Sequence, residues 1–129
     1  MMNHLLYNIQ LCEREEYVRA GKQHGLTFHS LHEGYAVILE EAEEASDEVR
    51  NLDKDMATLW QATRNDNLIA AREAANRIRR TAQLLAAEAV QTAAMANKLL
   101  NSIEQIEQAT EEQIDAKTGI RNKPAPFAL

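Results

Sequence analysis

Cysteine occurs once in this chain, at Cys12, so no intrachain disulfide can form and no paired-thiol zinc site exists. The residue reads as a small buried apolar side chain. Four glycines and two prolines leave little to interrupt a helix. Aliphatic runs such as Ala36 to Leu39 are far too short to span a bilayer, and the first residues lack a basic-then-apolar signal pattern. A soluble, cytoplasmic protein is the expectation. Basic residues are outnumbered 20 to 14, and the net charge of -6 argues against a general electrostatic grip on nucleic acid or an anionic membrane, while leaving room for a metal-bridged or locally bound anion.

What remains is helix-forming. Alanine, leucine, glutamate, glutamine and arginine dominate, and the 129 residues fit one domain. A first helix is expected over Leu5 to Ala20, stopping near Gly21, with a loop from Lys22 to His29. Ser30-Leu31-His32-Glu33 has the form of a capping box and opens a second helix. From there an apolar stripe steps alternately by four and three: Leu31, Tyr35, Ile38, Ala42, Ala45, Val49, Leu52, Met56, Leu59, Thr63. It breaks at Arg64-Asn65-Asp66-Asn67, residues suited to a turn. A second stripe then follows: Ala71, Ala75, Ile78, Ala82, Leu85, Ala89, Thr92, Ala96, Leu99, Ile103, Ile106.

Two seams of one period, joined by a short turn, predict a long antiparallel helical hairpin with the N-terminal helix packed against it, an all-α fold. The segment after the turn is open to being one helix or two, with a kink near Thr81. Gly119 and Lys123-Pro124-Ala125-Pro126 end helical structure, which gives a single all-α domain over 1–118 and a flexible tail over 119–129. Leu68, Ile69, Leu84, Val90 and Leu100 fall outside the main stripe and need cover. The expectation is a homodimer or homotetramer with a four-helix oligomeric bundle.

The acids are unevenly placed. Glu40, Glu41 and Glu44 share one flank of the second helix, and like charges at that spacing repel unless a cation or basic group offsets them. Glu41 and Glu44 each stand one position before a stripe residue, as do Glu88 and Gln91 on the other arm. Counted from the turn at about 1.5 Å per residue, the two pairs are level to within a turn, so the hairpin brings them face to face. Three carboxylates and an amide oxygen suit Mg²⁺ or, alternatively, Mn²⁺. The plainer reading is a solvated acidic face.

The order of these residues carries a resemblance. The segments "HEGYAVILEEAEEA" and "AEAVQTAAMANKLL" together resemble the MazG-like all-α nucleoside triphosphate pyrophosphohydrolases, in their short phage and Gram-positive form. That family carries E-E-x-x-E on one helix and E-x-x-D on the next. The resemblance implies a Mg²⁺-dependent hydrolase that releases pyrophosphate and a nucleoside monophosphate, with Glu41, Glu44, Glu88 and Gln91 as metal ligands. It also implies that Glu40, with Glu41 and Glu44, serves catalysis, as a further ligand or by orienting water. Gln91 stands where the family has aspartate, which removes a negative charge and a base. The alternatives are a catalytically impaired relative that binds nucleotide or metal, and a purely structural helical interaction protein.

Lys98 follows Gln91 by seven residues on the same face and reads as a substrate-binding cation for phosphate, or as a solvated lysine. His32, with His29, flanks the start of the second helix and could meet a phosphate or ribose; ordinary loop and capping residues are the plainer reading. Trp60 lies near the turn and is assigned to packing or to a subunit contact.

Overall fold

In a computed structural model that describes residues 2–119, the chain forms three α-helices and, among the described residues, no strand. They are α1 (Met2–His24), α2 (Leu31–Arg64) and α3 (Leu68–Thr118). The tail expected over 119–129 lies outside the described residues except for Gly119, which caps α3 in the left-handed conformation. No described helix is long and apolar enough to cross a membrane.

Each boundary has a local cause. The first helix runs through Gly21 and ends one turn beyond the expected stop, because the conformational punctuation comes at Gly25, with φ of 87°. Leu26 then folds back over Gly21, where a Cβ would come within 2.6 Å of it. Ser30 caps α2 as expected by accepting from the Glu33 amide at 3.1 Å, while the Glu33 carboxylate reaches the amide of His29, one residue earlier than in a standard capping box. Asn65, Asp66 at φ of 50° and Asn67 make the turn, and Asn67 caps α3 by accepting from the Ala70 amide. The third helix is continuous past Thr81, so the one-helix alternative holds.

The α2–α3 hairpin forms, but its seam is rotated by one residue from the expected stripe. The covered positions of α2 are Gly34, Val37, Ile38, Glu41, Ala42, Ala45, Glu48, Leu52, Asp55, Leu59 and Ala62, and those of α3 include Ala71, Ala74, Ile78, Thr81, Leu85, Glu88, Thr92, Met95, Leu99 and Ser102. Ile38, Ala42, Ala45, Leu52 and Leu59 of α2 belong to both series, as do Ala71, Ile78, Leu85, Thr92 and Leu99 of α3; Tyr35, Val49 and Met56 do not and are exposed. Periodicity gives the width of an apolar face, and successive residues are only about 100° apart on a helix, so it leaves the facing register open to one position.

Specific contacts select this register. Gly34 lets α3 come so close that a Cβ there would lie 2.7 Å from a Leu99 methyl and 3.1 Å from the Phe28 ring. Thr81 donates to Asp55 at 2.9 Å across the seam. The loop between α1 and α2 is tied down by the Phe28 amide donating to Ser102 Oγ at 2.8 Å and by Asn101 Nδ2 donating to the Leu26 carbonyl at 3.1 Å.

Among the described residues α1 packs against α3 and not α2. It buries Ala20, but Cys12, read as buried, is exposed. Leu68, Ile69, Leu84 and Leu100 are exposed, and Val90 is half-buried beneath α1. The core consists of Phe28 and alanines 20, 62, 74 and 94, and no large described side chain is fully buried.

Candidate functional site

The one-residue rotation of the seam matters most for the acids. Glu41 and Glu88 do not merely border the helix contact; both lie in it, half-buried, with Glu44 at its exposed edge. One carboxylate oxygen from each of Glu41, Glu44 and Glu88 lies within 4.8 Å of the others. Ligands of an octahedral Mg²⁺ stand about 3 Å apart when adjacent and about 4.2 Å when opposite, so the three side chains would draw in around an ion they share. The set is all hard oxygen, as Mg²⁺ and Mn²⁺ prefer.

Electrostatics point the same way. Burial, reinforced by Glu44 and Glu41 alongside, pushes the Glu88 carboxyl up to about 7. Burial, then Glu44 and Glu40, raise Glu41 as well. Three carboxylates this close do not all stay ionised at neutral pH without a proton or a cation between them.

Gln91 completes the group. Its terminal amide sits 3.0 Å from Glu41 Oε2 and 3.1 Å from Glu88 Oε2, and with the NH₂ turned toward them it donates to both. Turned over, the same amide offers its carbonyl oxygen to a cation beside those carboxylates.

A cleft of about 440 Å³ adjoins the cluster, lined from α1 by Arg19 and His24, from α2 by Val37 and Glu41, and from α3 by Gln91, Met95 and Lys98. Lys98 is 6% exposed, with its Nζ over the Phe28 ring at 4.4 Å. No carboxylate among the described residues lies within ion-pair distance of it. A solvated lysine is therefore not what forms. The Lys98 side chain is buried along its length and its ammonium opens on the cleft with an aromatic face as its support, where an anion would complete it.

The other expected residues scatter. Glu40 is exposed and reaches the cluster through its charge on Glu41 alone. His32 and His29 are exposed, and neither lines the cleft. Glu48 accepts from Asn51 at 2.9 Å through one oxygen, while its Oε2 is buried without a partner, outside the cluster. Sequence reasoning missed the contribution of α1: Glu16 and Arg19, which pair with each other, and His24 all line the cleft, yet no spacing rule links α1 to residues some seventy positions later. The exposed Trp60 lies at the far end of α2. No family model, curated protein or solved structure matches this chain.

Proposed function

We propose that the chain is a nucleoside triphosphate pyrophosphohydrolase that uses Mg²⁺ or Mn²⁺ to cleave its substrate between the α and β phosphates. The observation that carries the reading is the juxtaposition of a three-carboxylate cluster with a cleft at which a buried, unpaired lysine opens. A divalent cation bound there supplies charge neutralisation for phosphate oxygens and a water of lowered pKa. Glu41, Glu44 and Glu88 are the residues that would hold it, with the Gln91 carbonyl as a neutral fourth ligand. Lys98 would receive a phosphate oxygen from the cleft side, and Glu40, exposed beside Glu41, would orient the attacking water. In this reading water adds to phosphorus, the α–β bridge breaks and pyrophosphate leaves. No serine or cysteine nucleophile is required.

The direct test incubates the protein with a panel of NTPs and dNTPs plus Mg²⁺ or Mn²⁺ and measures pyrophosphate for wild type and Glu44→Ala. Release by wild type alone supports the assignment; none with any nucleotide sinks it. One observation favours a second reading. Gln91 leaves the site one charge short, as expected of a relative that binds nucleotide and metal without turnover. Metal-dependent nucleotide binding without release, with turnover gained on Gln91→Asp, would establish it. The same reading carries the expectation of a homodimer or homotetramer.

A further inference from the structure

Hydrolysis as described engages α2 and α3 only, yet the cleft has a third wall, α1. Two grooves between α1 and α3 fix how these helices lie. In one, Cys12 and Glu15 meet Ala86, Ala87 and Val90. In the other, the cleft itself, Ala20 and His24 meet Met95 and Lys98. Glu16, Arg19 and Gln91 line both. Residue numbers rise together along the two helices, so α1 runs parallel to α3, and Glu16 and Arg19 stand level with Gln91 and the carboxylates it touches. The charge of Glu16 is felt there: it adds to burial, Glu44 and Glu40 in raising the Glu41 carboxyl.

At that level Arg19 spends its charge locally. Its Nε donates to Glu16 Oε2 at 3.1 Å, a second guanidinium nitrogen donates to Glu16 Oε1, and the third donates to Gln23 Oε1 at 3.4 Å. All of these partners are on α1 itself. An ion pair three residues apart on a helix, with the arginine side chain 55% exposed, is weakly held. The same fork matches two oxygens of a phosphate, which carries more charge than one carboxylate. A pair that served α1 alone could sit on any exposed turn of that helix. This one sits in the cleft wall, at the level of the acids and about two turns of α3 from Lys98.

We propose that Arg19 is a phosphate-binding residue held in reserve: Glu16 keeps its guanidinium until a nucleotide binds, then yields it to the pyrophosphate end, which Arg19 and Lys98 grip from α1 and α3. The terminal phosphates carry most of a nucleotide's charge and leave with it, so two cations serve them best. The identity of that phosphate rests on the pyrophosphohydrolase reading; the exchange of partners does not.

Inorganic pyrophosphate with Mg²⁺ probes this without a nucleotide and without turnover. In titration calorimetry Arg19→Gln is expected to bind it roughly tenfold more weakly than wild type, with Arg19→Lys recovering part of the loss. Glu16→Gln is expected to bind it about two- to fivefold more tightly, because the guanidinium is no longer held back. In the Arg19→Gln background, Glu16→Gln is expected to change nothing. A pair that only stabilised α1 would give losses in both single variants, and plain repulsion between Glu16 and the anion would give the same gain in both backgrounds. Either result overturns the proposal, as does an Arg19→Gln protein that binds like wild type, or a wild type that fails to bind at millimolar pyrophosphate. The expected pattern in a protein that releases no pyrophosphate from any nucleotide would sink the hydrolase reading and leave Arg19 as assigned.

Discussion

Glu41 and Asp55 hold equivalent places in α2, two heptads apart on its buried stripe, and their surroundings are opposite. Asp55 accepts from the Thr81 hydroxyl at 2.9 Å and has the Arg77 guanidinium at 3.5 Å, so a donor and a cation answer its charge. Glu41 has the like charges of Glu44 and Glu40 beside it and no cation, and only neutral donors answer it: the Gln91 amide at 3.0 Å and the protonated Glu88 carboxyl. Glu48, between them, is half-answered, by Asn51 alone. A hairpin held only for stability would repeat the Asp55 arrangement, since a buried charge without a partner costs several kcal/mol. The Glu41 level gives up that stability, and sites that do so are where ligands are sought.

The sharpest way to break the comparison is to remove an acid at each level and read both activity and stability. Glu88→Ala is expected to lower pyrophosphate release at least about 100-fold, well beyond the effect of losing a partner outside the ligand set. It is also expected to leave the metal-free melting temperature unchanged or higher, because it relieves like-charge crowding. A fall in stability with activity retained would make the cluster structural. Lys98→Met comes next. One charge-assisted contact to phosphate contributes about 1.5–3 kcal/mol, so KM should rise roughly 10- to 100-fold, while methionine still packs on Phe28 and the fold persists. An unchanged KM would remove Lys98 from the substrate site.

The contrast between the two levels also marks how far the sequence could be read. The hairpin, its turn and the Ser30 cap were legible because they depend on local chemistry: stripes of fixed period, Asn and Asp at a tight turn, a serine three residues before a glutamate. Glu41, Glu44, Glu88 and Gln91 could be brought level by counting from that turn. Which of two adjacent stripes faces the partner could not, because it depends on close fits such as Gly34 against Leu99 and on the Asp55–Thr81 bond. Nor could the burial of Lys98 or the part played by α1. Both follow from how the Phe28 loop is tied to Ser102, a contact spanning 74 positions.

Asp55→Ala probes the satisfied level. It leaves the hydroxyl of the buried Thr81 without its acceptor and Arg77 without its anion, and should cost about 1–3 kcal/mol in denaturant unfolding, with kcat/KM unchanged. A loss of activity at equal stability would mean that the two levels are coupled.

The smallest effect is one of pH on the metal-free protein. The Glu88 carboxyl is raised from 4.5 to about 7 by folding, so the folded state holds its proton where the unfolded state has released it. Stability from this group is full below about 4.5, falls as pH rises toward 7 and stays low above that, the reverse of a salt-bridged acid. Glu88→Gln keeps the shape of the protonated carboxyl, so wild type and variant should melt together near pH 4.5. The variant should then pull ahead through pH 7 and hold a constant lead above it. Mg²⁺ should close that gap from the wild-type side alone, since a cation replaces the proton at the carboxylates and the amide offers it no charge. A gap that does not change with pH would show that the three acids do not share a proton. The difference between the Glu41 and Asp55 levels would then be one of packing and not of charge.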